Sequence, residues 1–79
     1  MMIVYAYILV DVPAGFPRGL AEKIRKFEGV LEAKSVYGAR YDIVVRVNAE
    51  KREGFMRITD NIQSLGRGIL TVTLEAKEE

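Results

Sequence analysis

Five consecutive residues, Gly38-Ala39-Arg40-Tyr41-Asp42, form the sharpest cluster of chemistry-bearing groups in the sequence. Glycine lets backbone amides come close to an anion and build an anion-binding turn. The Asp42 carboxylate suits an ammonium group. Together these groups match the two charged ends of a small zwitterion. The same residues also suit a hairpin turn, with glycine at positive φ and Asp42 paired with Arg40 or Arg46, so both uses stand open on spacing alone. Gly66-Arg67-Gly68 poses a similar choice. Arg67 carries a bidentate fork for a carboxylate, while two glycines also serve to stop a helix. Its spacing is not that of a dinucleotide or phosphate loop. Thr71 and Thr73 offer hydroxyls, and threonine is equally an ordinary strand former.

Other chemistry is excluded by what is missing. The 79 residues hold no Cys and no His. That removes disulfides, zinc sites with Cys or His ligands, thiol nucleophiles and the usual general base. No readable motif places two carboxylates for acid–base work. The expectation is a protein that is not an enzyme and carries no cofactor or metal. Glu50-Lys51-Arg52-Glu53 reads as the solvated start of a helix. Twelve basic side chains against eleven acidic ones give a formal net charge of +1, without the basic excess or stripe of a nucleic-acid module, so no direct nucleic-acid partner is expected. The apolar opening from Met2 to Val10 has no basic residue before it and ends at Asp11. It is far shorter than the ~20 residues of a membrane span, and it does not read as a signal peptide. The expectation is a cytoplasmic protein without a membrane partner, whose opening segment is a buried strand.

The elements that must position these residues follow from periodicity. Residues 3–12 are rich in Val, Ile and Tyr and run into Pro13-Ala14-Gly15, a strand and then a breaker. Pro17 suits the first turn of a helix, and Leu20, Ala21, Ile24 and Phe27 recur at helical spacing up to Gly29. Residues 30–37 read as a second strand, and a short turn joins it to a third, in which Tyr41, Ile43, Val45 and Val47 alternate with Asp42, Val44 and Arg46. Asn48 or Glu50 is positioned to open a second helix, whose stripe is Phe55, Ile58, Ile62 and Leu65. Gly54 weakens its start. A fourth strand follows from Leu70 to Glu75, and Lys77, Glu78 and Glu79 form a frayed tail. The order β-α-β-β-α-β predicts one α+β domain over residues 1–79. Its arrangement is ferredoxin-like: a four-stranded antiparallel sheet with both helices on one face.

That arrangement leaves one sheet face bare. In the first strand Val4, Ala6, Ile8, Val10 and Val12 share one parity and belong under the helices. Tyr5, Tyr7 and Leu9 then point the other way, joined by Val44, with Thr71 and Thr73 expected on the same open face. A contiguous apolar patch of this kind marks an interaction surface, and 79 residues contain no spare helix to cover it. The sequence therefore predicts self-association, with Tyr5, Tyr7, Leu9 and Val44 at the interface. Tyr5 and Tyr7 are not the stacking pair of an RNA-binding sheet, since the third strand lacks the matching glycine–aromatic signature.

The stretch IRKFEGVLEAKSVYGARYDIVVRV, residues 24–47, resembles the effector domain, or RAM module, of the leucine-responsive regulatory protein/AsnC regulators. The pattern is a helix ending at Gly29-Val30, a strand, then Gly38 followed by Tyr41-Asp42 and an apolar strand. The tail IQSLGRGILTVTLEA matches the family's step into a Thr-containing last strand. The resemblance implies an amino-acid-sensing and assembly module that pairs through its sheets, forms higher oligomers, and binds its effector between dimers. Carried over to this sequence, it nominates Tyr37, Gly38, Tyr41, Asp42, Asp60, Thr71 and Thr73 as ligand-binding residues. Three departures are visible. The 79 residues leave no room for the family's helix-turn-helix domain, which implies a stand-alone module that pairs with itself or with a full-length regulator. Two residues, rather than the family's one, separate Gly38 from Tyr41. Gly66-Arg67-Gly68 replaces a Pro-Gly step. The other functions open to this fold are an ACT-like regulatory module, a purely structural self-assembly protein, and a small ferredoxin-like enzyme.

Overall fold

The valine- and isoleucine-rich segments form four strands, and the two amphipathic segments form helices across one side of them. The computed structural model describes residues 3–38 and 40–77. Ala39 of the turn and Glu78 and Glu79 of the tail lie outside the described residues. The elements run β1 (Val4–Asp11), α1 (Leu20–Arg25), β2 (Val30–Ser35), β3 (Ile43–Ala49), α2 (Arg52–Gln63) and β4 (Leu70–Glu75). All pairings are antiparallel, in the order β2-β3-β1-β4. This is the ferredoxin-like α+β fold that the element order predicts.

The core forms where period 2 on the strands meets period 3.6 on the helices. Ala6, Ile8 and Val10 of β1 and Ile43, Val45 and Val47 of β3 are buried beneath Leu20 and Ile24 of α1 and Phe55, Ile58 and Ile62 of α2. Ile8 pairs with Val45 and Val10 with Ile43, so one register aligns both apolar sets under the helices. Burying side chains of this size stabilises the fold by roughly 1.5–3 kcal/mol each before entropy is counted. Among the described residues, no helix is long and apolar enough to cross a membrane.

Several boundaries differ from the sequence reading. The first helix begins at Leu20, not in a turn containing Pro17, because Gly19 at φ 95° sets the entry. Neither Asn48 nor Glu50 opens the second helix. Asn48 pairs with Tyr5 in the sheet, and its N–H donates to the Gly29 carbonyl at 2.9 Å. That carries β3 to Ala49 and leaves Lys51 as the N-cap of α2. Gly54 has a packing reason within α2, since a Cβ there would lie 2.6 Å from the Ala49 Cβ. The connection between β2 and β3 is longer than a short turn. Strand pairing stops at Ser35 and resumes at Ile43, which puts Tyr37, Tyr41 and Asp42 in a loop.

The largest correction concerns β4. Thr71 and Thr73 are paired with Val10 and Ile8, and side chains directly opposite on neighbouring strands share a face. Both threonines are therefore on the helix side, and the Gln63 side-chain amide of α2 donates to the Thr71 hydroxyl at 3.0 Å. The open face receives Leu70, Val72 and Leu74 instead, opposite Asp11, Leu9 and Tyr7.

Candidate functional site

The hairpin loop between β2 and β3 is closed by backbone bonds at its base. The Val36 N–H donates to the Asp42 carbonyl at 2.9 Å, and the Asp42 N–H donates to the Val10 carbonyl at 2.8 Å. Asp42 thereby ties β2 and β1 together just before β3 begins. Its side chain makes a third tie, because Asp42 Oδ2 accepts the Val12 N–H at 2.8 Å. Neither arginine expected from the sequence pairs with this carboxylate. Arg40 instead lies over the Tyr41 ring, 5.6 Å from its centroid, within cation–π range. Arg46 lies 3.8 Å from Glu32 across β2 and β3. Gly38 holds φ at 108°, a conformation that favours glycine, and Tyr37 beside it is fully exposed.

The seven ligand-binding candidates fall into two groups in one chain. Tyr37, Gly38, Tyr41 and Asp42 share the hairpin loop. Thr71, Thr73 and Asp60 lie beyond β1, along the flank where α2 meets β4. Asp60 is exposed and stands one helical turn before Gln63, the partner of Thr71. Two strand spacings, about 10 Å, separate the end of β3 from Thr71 across Val10. One subunit does not bring the two groups together.

A groove of about 760 Å3 lies beside the hairpin group. It runs between the β1–α1 connection and the end of β2, with Asp42, Tyr37 and Val36 on one side and Val12, Pro13 and Phe16 on the other. The sequence reading missed this groove, because its two walls are twenty or more residues apart in the chain. The Gly66-Arg67-Gly68 step supports it. A Cβ on Gly66 would overlap the Phe16 ring, and one on Gly68 would meet Pro13 Cγ at 3.2 Å. These glycines seat the wall of the groove, and Arg67 is exposed. A smaller cleft of about 470 Å3 lies where Gly29 meets the first turn of α2. Glu28, Glu50, Glu53 and Arg57 line it, and it contains none of the residues nominated by the sequence.

The residues that the sequence nominates for an interface form one surface. Leu9 sits at the centre of the open face with Val44 on one side and Val72 on the other. Tyr5 and Tyr7 are 48% and 43% exposed, and Leu70 and Leu74 are 59% and 51% exposed. Glu32 and Lys34 of β2 lie opposite Arg46 and Val44, which gives this apolar patch a charged border.

No protein-family model matches the chain, and no curated protein does. Solved structures do. The crystal structure of FFRP-DM1 is 31% identical with a TM-score of 0.76, over 94% of this chain and 99% of that one. A hypothetical protein from Pyrococcus horikoshii, PHS023, is 34% identical with a TM-score of 0.76, over 99% of this chain and 93% of that one. The leucine response regulatory protein LrpA of Mycobacterium tuberculosis shares the fold at a TM-score of 0.79 and 14% identity. The match to LrpA covers 96% of this chain and 51% of that one, so this chain spans about half its length.

Proposed function

Because the chain belongs to the leucine-responsive regulatory protein/AsnC family, as a RAM-type domain, we propose that it assembles with copies of itself and takes a small amino acid as its effector. One observation carries the assembly half. Tyr5, Tyr7, Leu9, Val44, Leu70, Val72 and Leu74 make one uncovered apolar face. The three strands that carry these residues, at their usual spacing, give that face a footprint of roughly 200–300 Å2, in the range of patches that mark interaction sites. At about 25 cal/mol per Å2, covering it on two copies stabilises a pair by roughly 10–15 kcal/mol before association costs. A second copy presents the same apolar centre and charged border. A longer regulator of the same family is a further partner on this reading.

The effector half rests on family membership and on the groove beside Asp42. Asp42 Oδ2 is engaged by Val12, which leaves Oδ1 to face an ammonium group. Sequence-specific DNA binding by these residues is not part of the reading, since α1 and α2 both lie on the sheet and the formal charge is +1. One observation favours the purely structural alternative: the Asp42 carboxylate already serves the fold by holding the Val12 amide. Calorimetric titration of the assembled protein with each of the twenty amino acids at millimolar concentration decides between them. Saturable heat with at least one supports an effector module, and none with any leaves a self-assembly protein.

A further inference from the structure

We infer that a second copy seats on the open sheet face in one orientation, the one that sets Lys34 against Asp11 of the partner subunit. The inference rests on the pairing reading above and adds the two residues that fix its register. Apolar contact is non-directional, so Tyr5, Tyr7, Leu9 and Val72 favour covering the face without choosing how the second copy is turned. Charged groups supply that choice.

Glu32 and Arg46 stand opposite each other on β2 and β3, 3.8 Å apart, and offset one another. Lys34 and Asp11 lack such an arrangement. Among the described residues neither enters an ion pair or a side-chain hydrogen bond. Both share the face of the apolar patch. Lys34 lies opposite Val44, which lies opposite Leu9, and Asp11 lies opposite Leu70. Lys34 is exposed and Asp11 is half-buried. Two strand spacings across and two residues along set them about 12 Å apart in one chain. A closed pair of identical chains has a two-fold axis, so a contact made once is made twice. Turning the second copy so that its Asp11 meets Lys34 therefore also brings its Lys34 to Asp11. Leu9 lies about 10 Å from Lys34 and about 7 Å from Asp11, close to the line midway between them. The axis then passes near Leu9 and the apolar side chains stay at the centre of the contact. An orientation that lays Lys34 or Asp11 on that centre buries a charge without a partner.

The test uses Asp11→Lys and Lys34→Glu, made separately and in one chain. Sedimentation equilibrium and native mass spectrometry read the wild type, each variant, the equimolar mixture of the two single variants, and the doubly changed chain. Alone, Asp11→Lys sets lysine against lysine and Lys34→Glu sets carboxylate against carboxylate, twice in each pair. Each is expected to weaken its own pairing at least about ten-fold. In the mixture both contacts are restored, so mixed pairs of near wild-type affinity are expected to dominate. The doubly changed chain is expected to pair with itself again. Neither side chain bonds within its own chain, so the circular dichroism spectrum of every variant is expected to match wild type. Single variants that pair as tightly as wild type overturn the inference, and so does a mixture without preference for mixed pairs. In both cases the pairing reading stands. A wild type that stays monomeric overturns that reading and the inference together.

Discussion

At the scale of the residue, Asp42 has a structural duty and a proposed binding duty, and two substitutions separate them. Its carboxylate accepts the Val12 N–H, a contact thirty positions apart that pins the exit of β1 to the hairpin. Asp42→Ala removes the acceptor and is expected to lower unfolding stability by about 1 kcal/mol, the net worth of one hydrogen bond. Asp42→Asn keeps an acceptor oxygen and is expected to stay within about 0.5 kcal/mol of wild type in urea denaturation. Both lose the negative charge, so both are expected to weaken the amino acid by about ten- to a hundred-fold, the scale of a lost charge-assisted bond. Equal binding by wild type and Asp42→Asn removes Asp42 from the site. The sequence made this cluster visible through its residue types, yet it suggested a nearby arginine as the partner of Asp42. Spacing shows which groups are neighbours in the chain. It does not show that the end of β1 is delivered to the far side of the loop.

At the scale of the element, β4 and the Gly66–Gly68 step show what alternation conveys and what it omits. Leu70, Val72 and Leu74 alternate with Thr71 and Thr73, so a strand was legible. The face was not, because the usual rule puts the apolar set inward. Only the register with β1, Leu9 opposite Val72 and Ile8 opposite Thr73, settles it. The inversion fits the proposed pairing through the outer face of the sheet. Val72 is 42% exposed, so Val72→Glu is expected to leave the circular dichroism spectrum of the fold intact and to lower the sedimentation coefficient. Thr71→Ala loses the bond from Gln63, is expected to cost under about 1 kcal/mol, and should leave assembly unchanged. A Val72→Glu protein that still sediments like wild type would exclude β4 from the interface. The Gly66–Gly68 step reads in sequence as a helix stop or a carboxylate clasp. Neither describes its packing, because the ring it accommodates comes from Phe16, fifty residues away. Gly66→Ala forces that ring aside, and overpacking of this sort is expected to cost about 1–3 kcal/mol in denaturant midpoint analysis. No loss would mean that the β1–α1 connection moves freely and the groove wall is not fixed.

At the scale of the whole molecule, size and surface point the same way. A chain of 79 residues buries only about 60% of the surface its unfolded form exposes. Its core draws on β1 and β3 and the inner faces of two short helices, while an apolar set of comparable richness stays outside. Net stabilities of small domains are a few kcal/mol, so covering the open face changes the balance as much as any internal contact does. If that face is covered by another copy, folding and association are linked. The midpoint of thermal unfolding then rises with protein concentration by mass action, which a monomer does not show. Leu9 is the position that tests this most directly, because Val44 and Val72 flank it at the centre of the sheet. Leu9→Lys places a charge at the middle of the proposed contact, and an unpaired buried charge is far more costly than a lost methyl group. In an isolated chain the lysine reaches water, so the substitution is expected to leave the monomer folded. The expected result is a protein of monomer mass at tens of micromolar, with a lower unfolding temperature that no longer depends on concentration. The charged border makes a different prediction. Glu32 and Arg46 are about half exposed and 3.8 Å apart, and exposed pairs contribute at most about 1 kcal/mol. Reversing both, Glu32→Arg with Arg46→Glu, is therefore expected to leave the proposed dimer in place. Sedimentation equilibrium at several concentrations reads all three proteins. A wild type that stays monomeric throughout, or a Leu9→Lys protein that stays associated, would show that the pairing does not run through this face.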